Sequence, residues 1–198
     1  MTRPFLLGLT GSIGMGKSTT AGFFKAAGVP VWDADATVHR LYAPGGAAVP
    51  VLEAAFPGVT GAEGVDRAVL KAAIAADPKA LPRIEALVHP LVAADRAAFI
   101  AAHAAAPLLL LDIPLLFETG ADAGLDGTLV VSAPPEVQRA RVLARPGMTP
   151  AHLAAILARQ MPDAEKRRRA TWVIETTTLD AAQAAVQDLI RTIGARHA

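Results

Sequence analysis

The chain has 198 residues, of which 53% are hydrophobic, 5% are aromatic and none is Cys. Nineteen Lys and Arg residues stand against 18 Asp and Glu residues, which gives a formal net charge of +1. This length suits one domain, or a domain with a small appendage, and the near-neutral charge argues against a broad nucleic-acid-binding surface. Without Cys, a disulfide framework, a thiolate nucleophile and a Cys-ligated metal site are excluded.

The mean hydropathy is positive, which raises the question of a membrane protein, but the apolar runs are short. The longest strongly apolar run, 107–111, is followed by Asp112 and Pro114, whereas a spanning helix needs about 20 apolar residues. The N-terminal apolar run is too short for the core of a signal peptide. The five His residues lack the spacing of a zinc site. We therefore expect a cytoplasmic protein with no membrane or nucleic-acid partner.

The predicted elements alternate between short apolar strands and helices. In chain order they are a strand at 5–9, a helix at 17–27, a strand at 29–32, a helix at 34–42, an Ala-rich helical stretch at 47–106, strands at 108–112 and 129–132, helices at 135–145, 150–160 and 163–169, a strand at 172–174 and a helix at 180–193. Within 47–106, breaks are expected at Pro57-Gly58, 61–64, Pro78, Pro82 and Pro90. This alternation indicates an α/β fold with a mainly parallel sheet, and the long helical stretch is predicted to be an inserted subdomain.

The segment Gly11-Ser12-Ile13-Gly14-Met15-Gly16-Lys17-Ser18 matches the phosphate-loop pattern GxxxxGK[ST], between a predicted strand and a predicted helix. Its glycines let the backbone curl so that N–H groups face phosphate oxygens, and the helix adds its positive N-terminal end. Lys17 can reach the β- and γ-phosphates, the Ser18 hydroxyl can bind Mg²⁺, and Thr19 can approach the α-phosphate. The pattern predicts a nucleoside triphosphate site at residues 12–19.

Carboxylates follow two of the predicted strands. Asp33 and Asp35 come after the second strand, and Asp112 ends the third. Because the carboxyl ends of parallel strands line one crevice, Asp33 could orient or deprotonate a substrate hydroxyl, or it could only cap the next helix. The residue pattern leaves both roles of Asp33 open. Asp112 is predicted to hold Mg²⁺ through water, as a Walker-B-like carboxylate.

Three arginines, Arg139, Arg141 and Arg145, lie on or near the helix predicted at 135–145. Arg141 and Arg145 are four positions apart and therefore share a helix face. Such a pair can clamp phosphoryl charge, as lid arginines do, or it can form a solvated basic face. Gly147 offers a hinge for the movement of a lid. The basic run 166–169 is interpreted as a solvated helix end.

Beyond the phosphate loop, further motifs follow along nearly the whole chain: Val31-Trp32-Asp33-Ala34-Asp35, His89-Pro90-Leu91-Val92, Asp112-Ile113-Pro114-Leu115-Leu116-Phe117-Glu118, Gln138, Arg141, Arg145-Pro146-Gly147-Met148, Arg159-Gln160 and Lys166-Arg167. In these motifs and in their order, the chain resembles the dephospho-CoA kinase family. The sequence departs from the family pattern around the last strand, where Thr171, Glu175 and Thr176 replace the usual acidic and Asn-rich residues.

The resemblance implies a P-loop kinase fold, in which a five-stranded parallel sheet is flanked by helices and carries a helical substrate-binding insert and a small lid. It implies that ATP, with Mg²⁺, phosphorylates the ribose 3′-hydroxyl of 3′-dephospho-CoA in the last step of coenzyme A biosynthesis. The core is expected at 1–34, 106–137 and 166–198, the insert at about 35–105 and the lid at about 138–165. A P-loop kinase of another small hydroxyl compound, such as a nucleoside or a sugar, and a nucleotide sensor without enzymatic activity remain alternatives.

By the same resemblance, Asp33 matches the catalytic Asp of the family, and Lys17 and Arg145 are expected to act with it. Arg141 and Arg145 would join residues 12–19 in binding ATP, and Ser18 and Asp112 would serve the metal. The residues expected to contact the acceptor substrate are Asp33, His89, Leu115, Leu116, Phe117 and Glu118. The oligomeric state is not predicted.

Overall fold

The computed structural model describes residues 3–197. In chain order, its strands and helices are β1 (Phe5–Thr10), α1 (Lys17–Ala26), β2 (Val31–Asp33), α2 (Ala34–Tyr42), α3 (Ala48–Ala55), β3 (Thr60–Gly61), β4 (Gly64–Val65), α4 (Arg67–Ala76), α5 (Ala80–Ala102), β5 (Leu108–Asp112), β6 (Gly127–Ser132), α6 (Pro135–Leu143), α7 (Pro150–Leu157), α8 (Asp163–Arg169), β7 (Trp172–Glu175) and α9 (Leu179–His197). Among these helices, none is long and apolar enough to cross a bilayer.

Five of the strands form one sheet in the order β2-β5-β1-β6-β7. β1 runs parallel to β5 and β6, and β6 runs parallel to β7. Every residue of β5 and β6 is buried, which explains the apolar runs 108–111 and 129–131 within them, because a parallel sheet is covered on both faces. The predicted α/β fold with a five-stranded parallel sheet is confirmed.

The chain divides into two compact units, of which the first comprises residues 1–32 and 103–198. Its largest core cluster joins apolar side chains of the sheet to α1 and α9. Phe24 of α1 and Val186 of α9 are fully buried there. Each buried side chain of this kind stabilises the fold by roughly 1.5–3 kcal/mol, so that the sheet forms a rigid base for the loops at its strand ends.

The second unit, residues 33–102, has a core of its own. Its short hairpin of β3 and β4 lies where the sequence indicated only chain breaks. Glu53 of α3 anchors this hairpin, because its carboxylate accepts hydrogen bonds from Gly58 N–H at 2.8 Å and from the Thr60 hydroxyl at 2.7 Å. These bonds lower the pKa of Glu53 below its usual value. The hairpin is two residues per strand, too short to show a sequence period.

The breaks predicted at Pro82 and Pro90 are wrong, because α5 continues through both residues. Pro82 lies in the first turn, where its missing N–H has no intrahelical acceptor. At Pro90 the helix forgoes one hydrogen bond, but Ile84 and Val88 are buried in the core of the second unit. Burial of one apolar face therefore outweighs the local penalty. The second strand is also shifted, since β2 covers Val31–Asp33 rather than 29–32.

Candidate active site

The phosphate loop between β1 and α1 depends on two glycines. Gly14 and Gly16 have φ angles of 79° and 85°, a left-handed conformation that other residues adopt only with strain. Space is also limited, since a Cβ on Gly14 would lie 2.5 Å from Val142 Cγ2 and a Cβ on Gly16 would lie 2.9 Å from Thr176 Oγ1. The loop is therefore curled by its own sequence and packed closely by α6 and by the segment after β7.

The N-terminus of α1 is open to an anion. Gly16 is its N-cap and offers no side-chain cap, and no acidic residue lies in the first turn. The first N–H groups of a helix have no partner inside the helix, and together with the helix dipole they attract phosphate. Ser18 and Thr19 are exposed in this first turn, as a role in binding phosphate or metal requires.

Lys17 and Asp112 form an ion pair in the first unit. Lys17 Nζ lies 2.6 Å from Asp112 Oδ1, and the exposed side-chain fractions are 17% and 3%. Asp112 is the last residue of β5, and it stands beside Leu9 of β1 in the sheet register. The strand that precedes the phosphate loop is therefore the direct neighbour of the strand that ends in this carboxylate. The structure brings together two residues that the sequence assigned separately.

Two glutamines hold the peptide groups of Ile13 in the loop. Gln138 of α6 donates from Nε2 to Ile13 O at 2.8 Å, and Ile13 N–H donates to Gln160 Oε1 at 3.1 Å. Met15 turns its side chain into the core, where its sulfur accepts a hydrogen bond from the backbone N–H of Ala133. The loop is thus braced by Gln138, by Gln160 and by the packing of Met15 in the core.

A pocket of about 270 Å³ lies beside the phosphate loop, within the first unit. Its lining residues come from the loop and α1, from α6 and the residues just after it, and from the segment after β7 with the start of α9: Gly14, Gly16, Thr19, Thr20, Arg141, Arg145, Thr176, Thr178, Leu179 and Ala182. The guanidinium of Arg141 donates to Thr176 Oγ1 and to Thr176 O. Arg145 is exposed. The two predicted lid arginines therefore share this pocket but differ in how firmly they are held.

The apolar residues that follow β5 differ in how far their side chains are exposed to solvent. Leu115 is 41% exposed, whereas Leu116 is fully buried and Phe117 is 6% exposed. In this conformation Leu116 packs in the protein interior and offers no surface to a ligand, and its contact with substrate, like that of Phe117, stays a prediction. Among these three, Leu115 has the surface that a substrate wall needs.

The carboxylate of Glu118 contacts two other groups of the protein. Its Oε1 accepts a hydrogen bond from Met161 N–H at 2.8 Å and lies 2.8 Å from Lys166 Nζ. Burial by itself raises the pKa of Glu118, but Lys166 and the Met161 N–H lower the pKa by more, so that it lies below its usual value. The contact of Glu118 with substrate stays a prediction, and its observed partners belong to the fold.

The interpretation of 166–169 as a solvated helix end is wrong for Lys166. Its side chain is 0% exposed, whereas the side chain of Arg168 on the same helix is 74% exposed. α8 packs on β6, which turns one helix face inward, and Glu118 compensates the charge that this face carries. Helical periodicity alone did not separate Lys166 from its three basic neighbours.

In the second unit, Asp33 is the N-cap of α2, and its Oδ1 accepts a hydrogen bond from Ala36 N–H at 2.9 Å. The capping role that the sequence left open is therefore real. One carboxylate oxygen fills it, and a carboxylate has two oxygens, so a second role is compatible with the first. His89 is exposed on α5, and its contact with substrate stays a prediction.

The donor set at the loop fits Mg²⁺. The Ser18 hydroxyl and the Asp112 carboxylate are hard oxygen ligands, and Asp112 is 2% exposed at a strand end. Across residues 3–197, no three His, Asp or Glu side chains form a cluster able to hold a metal. Mg²⁺ is commonly held by one or two protein groups, several waters and substrate phosphates rather than by a protein cage, and these two residues are groups of that kind.

Comparison with known proteins identifies the family. The sequence model described as dephospho-CoA kinase matches residues 5–181. The chain belongs to the dephospho-CoA kinase family. It is accordingly an ATP-dependent phosphotransferase of that family, and the function predicted by resemblance is confirmed at this level.

Individual relatives of the family agree with this assignment. A dephospho-CoA kinase of Cereibacter sphaeroides is 64% identical over 191 residues, covering 96% of each chain. Among solved structures, a protein of Thermus thermophilus has a TM-score of 0.84 and 38% identity, covering 96% of this chain and 98% of that one. A dephospho-CoA kinase of Campylobacter jejuni has a TM-score of 0.66 at 21% identity, with 95% and 96% coverage, which supports the P-loop kinase fold.

Sequence reasoning assigned no role to several residues at the site of this family member. Gln138 and Gln160 carried the resemblance, but their contacts with Ile13 became visible only in the structure. Thr176 was noticed as a departure from the family pattern. Leu179 gave no signal as a site residue, although it is 66% exposed and lines the pocket beside the loop.

Proposed function

We propose that the chain transfers the γ-phosphoryl group of ATP to the ribose 3′-hydroxyl of 3′-dephospho-CoA with the residues described above. A bond forms between the 3′-oxygen and phosphorus, the bond from phosphorus to the β–γ bridging oxygen breaks, and ADP leaves. The observation that carries the proposal is the ion pair of Lys17 and Asp112 at the end of β5, next to the loop whose helix lacks a cap. Family membership supplies the identity of the substrate.

The triphosphate would lie on the phosphate loop and the N-terminus of α1. Lys17, held near the loop by Asp112, would contact the β- and γ-phosphates, and the loop N–H groups would stabilise the charge of the transferring group. The nucleoside end of ATP would occupy the adjoining pocket, where Leu179 supplies apolar surface and Arg141 a flat guanidinium. Arg145, which is exposed at this pocket, would reach the phosphates.

Mg²⁺, when bound with ATP, would neutralise charge on the phosphate oxygens. Ser18 would hold it directly and Asp112 through water, the arrangement that the sequence predicted. Asp112 already accepts a hydrogen bond from Lys17, so its carboxylate would face two cations. This arrangement would hold the carboxylate in place at the end of β5.

Asp33 would orient the 3′-hydroxyl and accept its proton. It ends β2, a strand of the sheet that also contains β1 and β5. The carboxyl ends of the strands of an α/β sheet are where such folds bind ligands. Its N-cap bond to Ala36 fixes the carboxylate relative to α2, which restricts the side chain before the substrate arrives and supports catalysis by positioning.

The remaining assignments complete the proposal. The second unit, 33–102, would serve as the substrate-binding insert, with the exposed His89 as its candidate contact. In the first unit, the exposed Leu115 is the candidate contact. Leu116, Phe117 and Glu118 would support Leu115 from the interior. The segment 138–165 would act as the lid that carries Arg141 and Arg145. The cytoplasmic location stays a prediction from the sequence.

The test is Asp33→Asn, measured with a coupled assay of ADP release. Asn caps helices as well as Asp does, so that α2 should be retained. Loss of a general base lowers turnover by about 10²–10⁴-fold, and we expect ATP binding to stay within twofold. The matched control is Asp66→Asn, since Asp66 caps α4 in the same unit through bonds to Ala68 and Val69 N–H. This control should keep full turnover.

Full turnover by Asp33→Asn would show that its assigned role is wrong. The alternative substrate class is tested by supplying the unchanged enzyme with dephospho-CoA, nucleosides and sugars in parallel. Release of ADP only with a nucleoside or a sugar would replace the proposed acceptor while leaving the ATP site intact. Binding of ATP without transfer to any of these acceptors would indicate a nucleotide sensor.

A further inference from the structure

Thr176 connects three parts of the first unit around its hydroxyl. The residue follows β7 and is 6% exposed. Its Oγ1 lies 2.9 Å from Met15 O in the phosphate loop, 3.4 Å from Ser132 O at the end of β6 and 3.1 Å from Arg141 Nη1 on α6. A buried hydroxyl that reaches both the loop and a pocket arginine is placed to affect how nucleotide is bound.

The chemistry of a hydroxyl decides the direction of these bonds. A Thr hydroxyl has one proton to donate and two lone pairs that accept. Arg141 can only donate, so the hydroxyl accepts from Arg141 and its proton goes to a carbonyl oxygen. Met15 O, at 2.9 Å, is closer than Ser132 O, at 3.4 Å. The loop carbonyl therefore sets the hydroxyl so that its lone pairs face the guanidinium.

Arg141 is held at two points by this one residue. Nη1 donates to Thr176 Oγ1, and Nη2 donates to the backbone oxygen of Thr176. Two parallel bonds from a planar guanidinium fix its plane as well as its position. Two of the five N–H groups of Arg141, one on each terminal nitrogen, are thereby engaged with Thr176, and the guanidinium so held lines the pocket.

We infer that Thr176 is a positioning residue for nucleotide binding, which acts by fixing the guanidinium plane of Arg141 against the pocket beside the phosphate loop. The inference rests on the proposed placement of the nucleoside end of ATP in this pocket. A guanidinium held in advance loses less conformational freedom on binding than a free one. Without the Thr176 hydroxyl, Arg141 keeps only its bond to the backbone oxygen and can rotate about it.

The test compares Thr176→Val, which keeps the shape and removes the hydroxyl, with Thr176→Ser, which keeps the hydroxyl. Hydrogen bonds to charged groups correspond to about tenfold or more in affinity, so we expect the KM for ATP of Thr176→Val to rise about tenfold, with kcat changed less than threefold. Thr176→Ser should return the KM to within about threefold of the unchanged enzyme. A purely structural defect would lower the thermal midpoint and the active fraction without this KM change.

Thr128→Val is the matched control. Thr128 is a buried Thr at the start of β6, 7% exposed, whose Oγ1 accepts from Thr171 N–H at 3.0 Å. It loses a comparable hydroxyl in the same sheet, and neither it nor Thr171 lines the pocket. We expect a lower thermal midpoint and an unchanged KM for ATP. A KM rise equal to that of Thr176→Val would overturn the inference.

A double-mutant cycle with Arg141→Met shows whether Thr176 acts through Arg141. If it does, Thr176→Val should change the KM less than threefold once Arg141 has been replaced. If the two effects multiply, or if Thr176→Val alone leaves the KM unchanged, the inference is wrong. If Thr176→Val does not fold, Thr176→Ala, prepared in the presence of ATP, takes its place in the comparison with Thr176→Ser. Transfer to dephospho-CoA by the unchanged enzyme is measured alongside, so that failure of the proposed function is recognised separately.

Discussion

Substitution of Lys166 by Met should strongly destabilise the first unit, because it leaves the partly buried carboxylate of Glu118 without its cation. Lys166 is 0% exposed and Glu118 17% exposed at the side chain, and their charged atoms lie 2.8 Å apart. Removing one member of a buried ion pair costs about 3–5 kcal/mol. Glu118 keeps some exposure to solvent and the hydrogen bond from Met161 N–H. We therefore expect the loss of unfolding free energy to lie at the lower end of this range, about 3 kcal/mol.

Both tryptophans of the chain, Trp32 and Trp172, belong to the first unit, so their fluorescence reports its unfolding separately from the second unit. At a urea m value of about 2 kcal/mol/M, a loss of 3 kcal/mol lowers the midpoint by about 1.5 M. Arg168→Met is the control, because Arg168 is 74% exposed on the same helix. Arg168→Met should change the unfolding free energy by no more than about 0.5 kcal/mol.

The double variant Glu118→Leu with Lys166→Met removes both charges and fills the space with apolar atoms. Replacing a buried pair in this way is often close to neutral, so the double variant should recover most of the stability that Lys166→Met loses. A loss below about 1 kcal/mol for Lys166→Met, against the 3–5 kcal/mol typical of broken buried pairs, would refute the reasoning. A double variant as unstable as the sum of its single changes would refute it equally.

Two further predictions concern charge at the site and at Glu118. Lys17→Met should lower kcat/KM by about 10²-fold or more, because a donor to the transferring phosphoryl group is lost. The measurement is the rate of ADP release. A loss of kcat/KM below tenfold would contradict the role assigned to Lys17. The lowered pKa of Glu118 means that its carboxylate adds stability above its unfolded pKa of about 4.3, and that this stability is lost as the pH falls through the folded pKa. The thermal midpoint should therefore fall more steeply between pH 5 and pH 3 than in Glu118→Gln, and parallel pH curves would contradict this.

Local patterns in the sequence were enough to predict the elements that depend on near neighbours. The phosphate loop follows from its glycines and from Lys17, all within eight residues, and the strands follow from short apolar runs such as β5. The hairpin of β3 and β4 and the passage of α5 through Pro90 were missed. Both depend on burial in the core of the second unit, which local propensity does not represent.

The sequence by itself determined the chemistry available to this protein: a loop of backbone donors, Lys17 beside it, carboxylates at strand ends and a family resemblance along the chain. The tertiary structure decided which partners these groups meet. Lys166 is buried against Glu118 across 48 residues of sequence, and Thr176 holds Arg141 from 35 residues away. Such contacts arise because the parallel strands bring distant strand ends together, and no spacing along the chain encodes which side chains then face each other.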